Sequence, residues 1–255
     1  MTEEISGRKR LQWHAAFYAG IQIELEKEAD KLTFENEHQL GTKPMEIDVL
    51  IIKKHKAGPI RKNIGKIFRD YNVIEYKSPD DNLSIDDFYK VIAYACFYKA
   101  DVKKVDLIPS DEITISYVCR RYPKKMAEHL SVLQKLKIEK YADGIYYVNG
   151  GMFPMQLIVT SELSKEDNFW LKNLTNDLIK KEDAEEIFRE YGKNKNSNLH
   201  KSVMDIIVRA NEIMFKEATE NMCDALIELM QDVIQAETDM RLHRLRRIFI
   251  LDRMQ

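Results

Sequence analysis

The sequence predicts a mixed α/β core followed by an all-helical extension, and three observations carry this. Val49-Leu50-Ile51-Ile52 is an unbroken apolar run of the kind found in a strand covered on both faces. A short strand at Val73 to Pro79, an apolar helical stretch from Ile85 to Ala100 and a β-branched stretch from Glu112 to Arg120 follow one another. A crossover of that length favours a parallel strand pair. From Ser164 onward only helical periodicity remains. The core is therefore assigned to residues 1–161 and the helical region to 162–255.

The first element is a helix over 11–31, where Trp13, Phe17, Gly20, Ile21, Glu24 and Glu28 recur at spacings of three and four. Residues 32–40 alternate as a strand, Gly41 to Pro44 turns, and Met45 to Lys54 returns as the second arm of a hairpin. The connection over 53–72 turns at Gly58-Pro59 and carries Ile60, Ile64, Ile67 and Phe68 at helical spacing, so a short helix is expected there. In the strand that follows, Glu75 and Lys77 share a face with Val73, and Ile74 and Tyr76 take the other. Pro79 ends it. Ser84 can cap the next helix, with Asp86 and Asp87 in the first turn, where the helix dipole favours negative charge. After the strand over 112–120 come a helix over 123–136, two short strands (Lys137 to Tyr141 and Gly144 to Asn149) joined at Ala142-Asp143 with Asp143-Gly144 as the hairpin turn signal, and a strand over 155–160.

Composition narrows the function. A net charge of −2 means that any nucleic-acid contact must come from local basic patches. Three scattered cysteines with no Cys-x-x-Cys argue against a zinc site or a disulfide framework and fit core positions in a reducing compartment. No phosphate-binding glycine loop and no Gly-x-Ser-x-Gly occurs, which argues against an ATPase and an α/β-hydrolase. The six histidines show no spacing suited to a metal site. The first residues lack an apolar signal core and no stretch is apolar enough to span a bilayer, so the expectation is a cytoplasmic protein with no membrane partner.

Three acids and one lysine remain. Glu24 lies on the inward stripe of the first helix, Asp48 stands just before the apolar strand, and Glu75 and Lys77 interrupt the next strand. Convergent carboxylates suit a hard divalent cation such as Mg²⁺, with Mn²⁺ as the alternative. Such an ion polarises a phosphodiester oxygen, and a lysine beside it orients water or offsets charge building on the phosphate. The plainer alternative is a buried Glu75–Lys77 salt bridge in a noncatalytic domain. Glu46 shares the face of Asp48 and serves as a rim charge or a peripheral ligand, while Glu35 and Glu37 read as solvated.

Asp48 followed by Glu75-x-Lys77 resembles the signature of the PD-(D/E)XK nuclease superfamily. The order of helix, strand, Asp strand, Glu-x-Lys strand, helix and strand resembles its core. Within it the chain is similar to the Rpn-type recombination-promoting nucleases and transposase-related proteins, well over residues 11 to about 120 and loosely beyond. The resemblance implies a restriction-endonuclease-like mixed sheet flanked by helices, and Mg²⁺-dependent cleavage of DNA, linked to recombination or mobile elements. Asp48 and Glu75 would be metal ligands, Lys77 catalytic, and Glu24 the acid of the first helix, with Glu28 one turn on as its alternative. The sequence departs from the pattern at Ile47-Asp48, in place of Pro-Asp, and in the long stretch before Glu75. It also has Lys90-x-x-x-Tyr94 where some members carry Gln-x-x-x-Tyr.

Two basic runs are candidates for phosphate contact: Lys53, Lys54, Arg61 and Arg69 around the connection, and Arg120 and Arg121 after the later strand. In the tail, Gly192 to Asn198 is a polar break, and Met222 to Met240 spaces its apolar residues by four and three. That seam suits packing within the chain or a homodimer through the C-terminal helices. The last stretch gathers Arg241, Arg244, Arg246, Arg247 and Arg253, fit for DNA or a partner, with a structural role as the alternative. The alternative function is a noncatalytic nucleic-acid-binding or protein-interaction module on the same fold.

Overall fold

In the first helix, α1 (Trp13–Glu24), the apolar stripe read from the sequence is the buried one: Trp13, Ala16, Phe17, Gly20 and Ile21. The computed structural model describes residues 11–35, 39–40, 45–46 and 50–219. Asp48 and Glu37, the Met222 to Met240 seam and the arginine-rich end lie outside the described residues, and Glu46 is described by its backbone alone.

The chain divides into two compact units, Met1–Asn176 and Asp177–Gln255. The first holds a mixed sheet. Its hairpin pairs β1 (Leu32–Glu35) with β4 (Leu50–Lys54), antiparallel, and β2 (Gln39–Leu40) with β3 (Met45–Glu46) further along the same two arms. β5 (Tyr71–Tyr76) pairs antiparallel with β4. α2 (Ile85–Ala100) then crosses over to β6 (Ile113–Cys119), which runs parallel to β5. α3 (Lys124–Val132) leads to the hairpin β7 (Lys137–Ala142) and β8 (Ile145–Asn149), and β9 (Met155–Val159) closes the order β1-β4-β5-β6-β9-β8-β7. The short α4 (Phe169–Asn173) belongs to this unit and packs against α1.

The central strands are buried on both faces, and alternation decides what each face meets. Val73 and Glu75 of β5 share a face with Ile115, Tyr117 and Cys119 of β6 and with Met155 and Leu157 of β9. Phe88, Val91 and Ala95 of α2 and Met126 and Leu130 of α3 cover this face. The other face carries Ile74 and Tyr76 and belongs to α1, whose Phe17 stacks on Tyr76 with ring centroids 4.2 Å apart. The helices therefore lie on opposite sides of the sheet.

The connection over 53–72 is not the expected helix. Only Asn63–Gly65 makes a 3-10 turn, although Ile60, Ile64 and Phe68 are buried as their apolar character requires. Gly58-Pro59 interrupts helical pairing, and side chains hold the backbone instead. Asn72 bonds the Arg69 amide and carbonyl, and Gln156 Nε2 donates to the Ile64 carbonyl at 2.7 Å. A Cβ on Gly65 would meet Ile60 at 2.6 Å, so this turn packs tightly. α3 also ends earlier than its periodicity suggests, with Lys135 in the left-handed region.

The second unit is helical over its described residues: α5 (Lys181–Lys193), α6 (Asn198–Ala210) and α7 (Glu212–Thr219). The polar break falls between α5 and α6, where Ser197 caps α6 by accepting from the His200 amide. Phe188 meets Phe215 edge-on at 4.9 Å. No helix among the described residues is long and apolar enough to cross a membrane.

Candidate functional site

β5 delivers Glu75 into the layer between the sheet and α2, where Glu75 is only 2% exposed. Lys77 follows just past the strand and extends its ladder by donating its amide to the Val118 carbonyl at 2.9 Å. The two side chains meet on one face as the period of two requires: Lys77 Nζ lies 3.0 Å from Glu75 Oε1. Lys77 also reaches Asp87 Oδ1 at 2.8 Å, and Lys90 Nζ stands 3.8 Å from Glu75 Oε1. Glu75 Oε2 is buried and has no hydrogen-bond partner among the described residues. Tyr117, beside Glu75 in the β5–β6 register, donates its hydroxyl to the Phe88 carbonyl at 3.1 Å.

The electrostatics follow from burial. Loss of water pushes the Glu75 carboxyl above its usual range, and Lys77 and Lys90 offset only part of that. Burial pulls Lys77 down, but its hydrogen bonds to Asp87 and Glu75 outweigh it and hold the amine above its ordinary value. For Asp87 burial acts upward, and Lys77 and Ser84 together keep the carboxyl below its usual range. The Tyr117 phenol is pushed well up by burial and by the two carboxylates. The site is thus a charged cluster around a buried Glu75, with Lys77 partly exposed at its rim.

Sequence reasoning missed the α2 contribution. The sequence marks Asp87 as a dipole partner of its helix, and it does sit in a capping box with Ser84. Its second oxygen, however, ties the helix to Lys77. Asp87 and Lys90 lie three apart, hence on one helix face, which is the signal that points both toward the strand.

The helix acids go elsewhere. Glu24 Oε1 accepts the amides of Trp170 and Leu171 at 2.8 and 3.2 Å, and its Oε2 pairs with Lys62 at 2.6 Å. Glu28 accepts the Arg61 amide and pairs with Lys31. Both extend from the α1 side, whereas Glu75 faces α2. Among the described residues, the partners of Glu24 and Glu28 are thus Trp170, Leu171, Lys62, Arg61 and Lys31 rather than Glu75 or Lys77.

The basic candidates also separate. β4 runs antiparallel to β5 with Lys53 opposite Tyr71, so Lys53, Lys54 and Arg69 cluster at the start of β5. Lys77 lies six residues further on, about 20 Å away at strand rise. Lys53 pairs with Glu35, and Lys54 donates to the Gly58 carbonyl. Arg61 is exposed, and its amide serves Glu28. Arg120 and Arg121 follow β6 at the same end of the parallel pair as Lys77. Arg120 donates to the Thr175 hydroxyl, and the Arg121 side chain is exposed.

Among the described residues, no group of three or more His, Cys, Asp or Glu is arranged to hold a metal ion. Asp48 falls outside them. No protein family, curated protein or solved structure matches the chain.

Proposed function

We propose that the first unit is a metal-dependent nuclease of the PD-(D/E)XK kind, hydrolysing DNA phosphodiester bonds on a restriction-endonuclease-like core. Glu75 carries the reading: it is a buried carboxylate with one oxygen lacking a partner among the described residues, set against a lysine at the carboxyl end of a parallel strand. Ligands of open α/β sheets favour that end. The order of α1, the antiparallel β1-β4-β5 arms, the α2 crossover and parallel β6 supports the same reading. The resemblance to recombination-promoting nucleases ties the activity to recombination or mobile elements.

The Glu75 oxygen that has no partner among the described residues fits a divalent cation, which needs oxygen donors and keeps several waters. Glu75 and Asp48, which precedes Leu50 by two residues in the chain, would hold Mg²⁺ or Mn²⁺. Bound there, the ion supplies Lewis-acid polarisation of the phosphate and lowers the pKa of water. Lys77, held as an ammonium, orients the attacking water and offsets charge developing on the phosphate. Arg121 offers phosphate contact at the same end of the sheet. Glu24 is not in the proposed set.

A noncatalytic nucleic-acid-binding module is the second reading, favoured by one observation: Lys77 is already shared by two carboxylates, as in a structural network. Cleavage of plasmid and single-stranded DNA with Mg²⁺ separates the two. The wild type is expected to cut and K77A to lose about 100-fold or more. Equal cutting by both proteins sinks the nuclease reading. Calorimetric titration with Mg²⁺ that shows no heat dependent on Asp48 favours the noncatalytic one.

A further inference from the structure

Building on the nuclease reading, we propose that Asp87 is the positioning residue for Lys77, holding its ammonium against the reacting phosphate from a second element of the fold. A lysine has a flexible four-carbon stem and three rotatable donors, so a single acceptor on its own strand leaves the head free to pivot. Glu75 Oε1, 3.0 Å from Lys77 Nζ, is such an acceptor. Asp87 adds a closer one, with Oδ1 at 2.8 Å, and it projects from α2 rather than from β5.

The Asp87 carboxylate is itself fixed. Its Oδ2 accepts the Ser84 amide at 2.9 Å and the Ser84 hydroxyl at 2.6 Å, and its own amide donates back to Ser84 Oγ at 3.1 Å. The capping box uses one oxygen, which leaves the other turned to Lys77. α2 is anchored in turn, since Phe88 is buried and its carbonyl receives the Tyr117 hydroxyl. The lysine head is thereby triangulated between a strand carboxylate and a helix carboxylate. Its third donor meets no acceptor among the described residues, at a side chain that is 19% exposed. Lys90 cannot take this part, because it carries the same charge and stands 3.8 Å from Glu75 Oε1. A cap needs only one acceptor oxygen, so capping alone does not account for the Oδ1 contact.

The test is steady-state DNA cleavage with Mg²⁺ by the full chain as wild type, D87N, K77A and the double variant, with thermal melting of each. Asn at 87 retains an oxygen for Ser84 and loses the charge that attracts Lys77. D87N is expected to lower kcat by about 10- to 100-fold with KM changed less than about twofold. In the K77A background the same change is expected to cost nothing further, because the lysine it positions is gone. Should D87N fail to fold, D87E keeps the charge, displaces it by one methylene, and is expected to lower kcat by about 10-fold. Wild-type kcat in D87N or D87E, or an undiminished loss in the K77A background, overturns this proposal while the nuclease reading stands. A wild type that cuts no DNA overturns both.

Discussion

Glu28 shows at the scale of one residue how the acids near α1 contribute. Its carboxylate accepts from Lys31 and from the Arg61 amide, and these bonds, Lys31 first, hold it below the usual range. A carboxyl depressed by folding contributes stability above its unfolded pKa of about 4.3, and that contribution fades as pH falls through the folded value. E28Q is expected to cost about 1 kcal/mol at pH 7, kept modest because Lys31 is partly in water. Urea denaturation at pH 7 and pH 3 checks this; a deficit of equal size at both pH values contradicts the linkage. Glu75 has the opposite sign. Burial raises its carboxyl, so the favourable contribution is present in acid and is lost as pH rises through the folded value. An amide of the same shape avoids burying a charge with one oxygen unmet by the described residues. E75Q is therefore expected to gain about 1 kcal/mol at pH 8, to match wild type near pH 4, and to lose cleavage. A fall in melting temperature at pH 8 would mean that the Glu75–Lys77 pair is a net stabiliser. Such a gain on removing the charge, together with lost cleavage, is the stability–activity trade that the proposed nuclease reading predicts.

Among the elements, the β7–β8 hairpin rests on Gly144, whose φ of 70° is a left-handed conformation that costs any other residue. A Cβ there would also meet the Val159 carbonyl at 2.6 Å and the Leu163 amide at 2.7 Å, both backbone atoms that cannot step aside. G144A is expected to cost at least about 2 kcal/mol, read as a lower denaturation midpoint with an unchanged slope; a neutral substitution would show that the turn re-forms elsewhere. This turn was legible as Asp143-Gly144 because its cause is local. α2 was legible for the same reason: Ser84, Asp87 and an apolar stripe specify its start and its inner face within a few residues. The connection over 53–72 was not legible, since what holds it comes from far along the chain, from Glu28 at one end and Gln156 at the other. The candidate site divides the same way. Glu75 and Lys77 share a face by strand alternation alone, whereas the Asp87 contact exists only once α2 has docked. Glu24 was legible only as an inward residue, because helical periodicity marks an inward side without saying which side of the sheet it meets.

For the whole molecule, the place where the chain divides has a physical content that a change of periodicity does not. The pattern turns purely helical near residue 162, yet α4 belongs with the sheet unit, which ends at Asn176. α4 supplies the two amides that satisfy Glu24 and buries Trp170 and Leu171. Lys172 on the same helix donates to the Ser161 and Leu163 carbonyls. A chain ending at Ser161 forfeits those two side chains, at about 2–3 kcal/mol each, and leaves a Glu24 oxygen buried without its donors. Together these losses come to about 5–9 kcal/mol, comparable to the whole stability of many domains. A chain ending at Asn176 keeps all of these contacts, together with the seven-stranded sheet and the helices on both its faces. The expectation is that residues 1–176 melt cooperatively and cut DNA with Mg²⁺, while residues 1–161 show no cooperative transition at the same temperature. Calorimetry on the two truncations decides it. Equal cooperative melting would mean that α4 is an ornament of the first unit, and that Glu24 finds other donors when the two amides are gone.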